Sequence, residues 1–243
     1  MVGEGATALL VGLVSAVYAA AGQAGGTAFL AVMAFAAVPA TEIRPTALAL
    51  NVVSAGYATW RLHRARAIDW PLLRRLGGPS LPAALLGGLV VLGGRTYLLL
   101  TGSMLLLAAC LLLTRSRADA VDEPEVGCGP ATAAGAATGF LSGLTGVGGG
   151  VFLAPLLIGL GWASPKRVAG LSAPFILTNS AVAIAGVTLA GQTVAPGVSL
   201  YGLFAFLGAV AGTAVGLRWM SQAATRRLIA GILALAGASL LLA

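Results

Sequence analysis

Gly139-Phe140-Leu141-Ser142-Gly143-Leu144-Thr145-Gly146-Val147-Gly148-Gly149-Gly150, with Pro155 following, places four glycines in the five positions 146–150 of a long apolar segment. A glycine inside a helix costs about 1 kcal/mol relative to alanine, so no smooth helix is expected to run through this stretch. A break leaves backbone N–H and C=O groups unpaired, and within hydrocarbon such groups survive only where protein buries them or where they line a cavity. Two short helices meeting at an irregular turn are therefore predicted, with the turn as a site. A weaker version, Gly22-Gln23-Ala24-Gly25-Gly26-Thr27, also lies between apolar runs. Sliding one half of the chain by about 124 positions brings Gly22 onto Gly146, Gly25 onto Gly149 and Gly26 onto Gly150.

The surrounding chain is 58% hydrophobic and 9% charged, with a mean hydropathy of +0.97, which excludes a soluble domain of 243 residues. Runs such as Leu98–Leu113 and Gly202–Leu217 carry no charge, as bilayer-spanning helices require. The start, Met1-Val2-Gly3-Glu4-Gly5, lacks the basic region of a secretory signal, so the first apolar run is expected to be retained. The net charge of +7 sits in short connections between apolar runs, where it sets orientation rather than marking a nucleic-acid partner. Cys110 and Cys128 have no metal or disulfide spacing, and no cofactor or metal is expected.

An all-α polytopic membrane protein follows, with each half of the chain carrying one plan. The first half reads as a broken pair, Ala6–Ala21 and Gly25–Val38, then helices near Ile43–Trp60, Trp70–Leu92 and Thr96–Thr114. Its counterparts are Ala131–Leu144 and Gly149–Gly161, then Val168–Leu189, Val198–Trp219 and Ala223–Leu242. Residues 1–114 and 130–243 are thus two transmembrane repeats, and the polar stretch 115–129 is a cytoplasmic linker. If each broken pair were one kinked span, the basic residues would divide evenly between the two sides. If its arms return to the same face, Arg61, Arg64, Arg66, Arg74, Arg75, Arg115, Arg117, Lys166, Arg167, Arg218, Arg226 and Arg227 lie inside, leaving Arg44 and Arg95 outside. The positive-inside rule selects returning arms. Three spans per repeat then make the repeats inverted, with a glycine-broken re-entrant hairpin in each and both termini outside the cytoplasm. Arms of about 14–16 residues reach roughly 21–24 Å, which favours re-entry over full crossing of a core about 30 Å thick.

Where a helix restarts after Gly25 or Gly149, its first amides are free and its dipole is positive, which suits an anion. Glycine lets a ligand approach those amides closely. The candidate binding residues are Gly22, Gln23, Gly25, Gly26, Thr27, Asn51, Ser142, Thr145, Gly146, Gly148, Gly149, Gly150, Ser172 and Asn179. Ser15, Ser54 and Thr178 are further polar neighbours. For the hydroxyls, bonding back to their own helix is the competing role; the amides of Gln23, Asn51 and Asn179 must find partners in an apolar helix. Gly87, Gly88, Gly208 and Gly212 read instead as helix-packing residues. No carboxylate falls mid-helix, and Glu42 beside Arg44 at the mouth of the first repeat, with Pro45 in a first turn, reads as a solvated helix entry, with gating or recruitment of charge as the alternative. An intramembrane serine hydrolase using Ser142 is disfavoured, because His63, the only histidine, lies in an arginine-rich connection.

The pattern Gly139-x-x-Ser142-Gly143-x-x-Gly146-x-Gly148-Gly149-Gly150, with Pro155, Ala169-Gly170-Leu171-Ser172-Ala173 and Asn179, resembles the TauE/SafE family of sulfite exporter-like permeases. The resemblance extends over the whole chain. It implies a secondary transporter of the prokaryotic inner membrane, in contact with the lipid bilayer, that moves sulfite, an organosulfonate or another small sulfur-containing anion. A passive anion channel of the same architecture stays open, as does a homo-oligomer. The first-half motif departs from the family pattern, with Ala24 where the second half has Gly148 and with Gln23 adding a side chain.

Overall fold

A computed structural model describes residues 3–20, 22–114 and 126–219, with eight helical positions between 227 and 241. Among the described residues there are nine named helices and no strand. They are α1 (Glu4–Ala20), α2 (Gly26–Phe35), α3 (Ala40–Arg64), α4 (Trp70–Leu89), α5 (Gly94–Thr114), α6 (Cys128–Thr145), α7 (Gly150–Gly159), α8 (Pro165–Leu189) and α9 (Val198–Trp219). Residues 115–125 of the expected linker lie outside the described residues. By length and composition, Arg167–Leu189 and Val198–Val215 are each apolar enough to cross a bilayer.

The broken pairs are where expected, but their arms are unequal. Helices α1 and α6 have 17 and 18 residues, whereas α2 and α7 have 10 each. At 1.5 Å per residue the long arms reach about 26 Å and the short arms about 15 Å. Helix α3 also starts earlier than predicted. The carbonyl of Pro39 accepts from Glu42 and Ile43, so the helix begins at Ala40 and Pro45 lies inside it.

Small residues set the packing. Gly135, Gly139 and Gly143 of α6 rest against the carbonyls of Leu76, Ser80 and Ala84 on α4, a four-residue stripe that brings the two backbones together. Gly139 and Gly143 thus serve packing, and the break proper starts at Gly146. Gly208 and Gly212 of α9 meet the carbonyls of Gly12 and Ala16 on α1, and Gly87 and Gly88 of α4 meet those of Phe140 and Ala183. All four were expected as helix contacts.

Helices α3 and α8 run antiparallel through the centre. At one end Arg44 of α3 bonds Gln192 just beyond α8, and the Thr46 hydroxyl accepts from the Ala195 amide. At the other, Arg167 of α8 bonds Asp69 just beyond α3 (2.6 Å from Nε), and Gly170 abuts the Ala67 carbonyl. Asp69 also caps α4, accepting from the Leu72 amide at 3.0 Å. Helices α4, α6 and α8 all end around Arg44, which bonds the carbonyls of Gly88, Val90 and Leu144.

Candidate functional site

The two breaks touch at the centre of the α3–α8 pair. Gly26, the first residue of α2, lies so close to the Val147 carbonyl that a side chain there would collide with it and with Asn51 Nδ2. Gly148 is closed in by Asn51, Ile176 and Ser180. Gly149 caps α7 with φ of 79°, in the left-handed region that favours glycine, and a Cβ there would stand 3.0 Å from Phe175 and from Ser142. Gly150 heads α7 beside Ile176 and the Ser172 carbonyl.

The outer ends of the breaks lie at opposite ends of the molecule. Gly146, which closes α6 with its amide on the Ser142 carbonyl (2.9 Å), packs against Arg44. Gly22 packs against Ala169, near the start of α8. Gly25 caps α2 beneath the Phe29 ring and accepts the Phe29 amide at 2.9 Å. The amides of Gly26, Thr27 and Ala28 therefore head α2 without an intrahelical acceptor. In α7 the amides of Phe152 and Leu153 share the Gly149 carbonyl, which leaves those of Gly150 and Val151 at the helix head.

Five buried side-chain atoms near the breaks have no hydrogen-bond partner: Gln23 Oε1, Asn51 Oδ1, Ser142 Oγ, Asn179 Oδ1 and Ser180 Oγ. All five residues are at most 2% exposed. An unpaired buried polar atom costs about 1–3 kcal/mol, so this concentration is an expense that packing alone does not explain. Asn51 Nδ2 reaches the Gly146 carbonyl only at 3.4 Å, and Asn179 Nδ2 bonds the Phe175 carbonyl at 2.9 Å. The amide side chains can present either nitrogen or oxygen to a ligand.

Other expected residues are occupied. The Thr27 hydroxyl pairs with the Tyr18 hydroxyl. Thr145 and Ser172 bond back to Leu141 (2.6 Å) and Val168 (2.9 Å) on their own helices. Ser54 bonds the carbonyls of Ala24 and Leu50, Ser15 that of Ala205, and Thr178 that of Pro174. Ser180 was not anticipated; its place one turn after Ile176, beside Asn179, was the available signal. Arg44 is 2% exposed, which overturns the solvated entry expected for it. The early start of α3 carries it inward from the mouth.

Among the described residues all regular secondary structure is helical, and two glycine breaks meet where buried polar atoms are unpaired. His63 is exposed and lies edge-on against Trp70, and among the described residues Ser142 Oγ has no hydrogen-bond partner. Residues 7–240 match the family described as sulfite exporter TauE/SafE. The chain is similar to a protein of Sinorhizobium fredii (strain NBRC 101917 / NGR234) named probable membrane transporter protein y4hK, at 31% identity over 235 residues and 94% of each chain. No solved structure matches it significantly. The chain belongs to the TauE/SafE sulfite exporter family. It is a membrane transporter and not an enzyme.

Proposed function

We propose that the protein is a secondary transporter that moves a small sulfur-containing anion, sulfite or an organosulfonate, across the cytoplasmic membrane of a prokaryote. The anion is held between the two breaks. The observation that carries this reading is the contact of Gly26 with Val147, around which Asn51, Ser142 and Ser180 present unpaired polar atoms and two helices present free amides. Hydroxyls and N-terminal amides donate to an oxyanion, and many modest bonds permit release to either side.

Residues 1–114 and 130–243 form the two inverted repeats of this transporter, joined by the cytoplasmic linker 115–129. Several correspondences support the pairing. Gly22 rests on Ala169 as Gly146 rests on Arg44, and a similar step relates Gly26 beside Asn51 to Gly150 beside Ile176. Left-handed residues end α2 and α7 at Ala37 and Gly161, and end α3 and α8 at Arg66 and Gly191. The short arms α2 and α7 run back toward the faces from which α1 and α6 entered. Arg44–Gln192 and Asp69–Arg167 tie the repeats at opposite ends, so release of one tie at a time opens the site to one side at a time.

Reconstituted protein should exchange labelled sulfite for internal sulfite with saturable, accelerated counterflow. Conductive flux without counterflow would replace the carrier with a channel, and absence of any sulfite or sulfonate flux in folded protein would reject the substrate class.

A further inference from the structure

Arg44 packs against Gly146 at the outer end of the second break and faces a cleft lined among others by Thr41, Gly94, Tyr97 and Gln192. Its guanidinium is buried, yet every partner it has among the described residues is a neutral oxygen. Nη2 bonds the Gly88 carbonyl at 2.6 Å, Nη1 those of Val90 (2.8 Å) and Leu144 (3.2 Å), and Nε the side-chain oxygen of Gln192 at 3.0 Å. The ion pair described in the structure joins Arg167 to Asp69, at the far end of α3 and α8. The carbonyls near the ends of α4 and α6 hold the side chain in place with partial charges only. A full charge buried in an apolar protein calls for a full counter-charge, so a buried arginine whose described partners are all neutral is a candidate anion site.

We infer that the cleft at Arg44 is a second anion site, a docking station for a small oxyanion or sulfonate on its way to or from the breaks. Its identity as a station for the transported anion rests on the function proposed above; its preference for anions does not. Gln192 sits in the turn after the left-handed Gly191 and lends Nε a neutral oxygen where an anion would supply a charged one. Displacing that amide turns a neutral hydrogen bond into a charge-assisted one, and the second N–H of Nη2 can join it in a fork. No acidic residue lines the cleft to compete. The station adjoins the transport path, because Arg44 holds the Leu144 carbonyl while the Tyr97 hydroxyl donates to the Thr145 carbonyl at 2.5 Å. These are the last two carbonyls of α6 before the break at Gly146.

Thr41 is exposed at the mouth of the cleft and gives a handle that does not disturb Arg44. In reconstituted full-length protein carrying C110S, C128S and T41C, the rates of labelling by 2-sulfonatoethyl methanethiosulfonate and by its trimethylammonium counterpart are compared, each normalised to free cysteine. The anionic reagent should react about tenfold faster or more, since a cationic cleft concentrates anions to that degree. Methanesulfonate should slow it, and Arg44→Gln in the same background should abolish the preference. Equal rates in the T41C protein would overturn the inference, as would an unchanged preference in folded Arg44→Gln protein. Should Arg44→Gln fail to fold, protection of T41C by methanesulfonate decides: protection supports the site and its absence removes it. Sulfite counterflow by the same T41C protein separates the two claims, because flux without any labelling preference removes the cleft site while leaving the transporter.

Discussion

Asn51 is the residue on which both breaks converge, touching the space at Gly26 and at Gly148 while its Oδ1 is unpaired. Asn51→Ala should weaken apparent sulfite affinity about tenfold, a loss of about 1.4 kcal/mol, with little change in melting temperature. A lower melting temperature with unaltered flux kinetics would make the side chain structural. Two left-handed glycines separate conformation from contact. Gly161 has φ of 70° and nothing within 4 Å of an added Cβ, so Gly161→Ala should cost about 1–2 kcal/mol of stability and spare transport. Gly149→Ala meets the same backbone penalty plus Phe175 and Ser142, and should lose transport as well. Melting curves beside sulfite flux check both. At this scale the sequence was legible for glycines and amides, whose demands are local. It was not legible for Arg44, whose burial depends on where α4, α6 and α8 end in space, or for which hydroxyls turn back to their own helices.

Among the elements, Asp69 joins two helices by serving as the cap of α4 and the partner of Arg167. Asp69→Ala should lower stability by about 1 kcal/mol through the lost cap, and Arg167→Ala by less, because that pair is partly solvated. Equal losses on thermal denaturation would assign the effect to the pair. The α4–α6 contact is more demanding. Gly143→Leu would drive a side chain into the Ala84 carbonyl and the Gly88 amide, and should destabilise by more than about 2 kcal/mol or prevent folding, read as loss of monodisperse protein in detergent. Helix order was legible because apolar runs and glycine breaks are local signals. The early start of α3 was not, since Pro45 suggested a first turn while Pro39 supplies the capping carbonyl. The unequal arms were also hidden, because α6 shares its glycine pattern between packing on α4 and the break.

For the whole molecule, the proposed orientation puts Arg44 and Arg95 outside the cytoplasm, and among the described residues Arg44 is buried and Arg95 exposed. The two breaks are proposed to form one anion site together, and sulfite-dependent thermal stabilisation of wild-type and Gly148→Ala protein measures binding there. Gly148 has φ of 87° and is closed in by Asn51, Ile176 and Ser180, so a methyl group there would push these neighbours apart where the breaks meet. Binding to the folded state raises the melting temperature with ligand concentration. Wild type should be stabilised increasingly by sulfite, and Gly148→Ala, shown to be folded by a cooperative melt without ligand, should not respond. Equal stabilisation of both proteins would place sulfite binding away from the breaks.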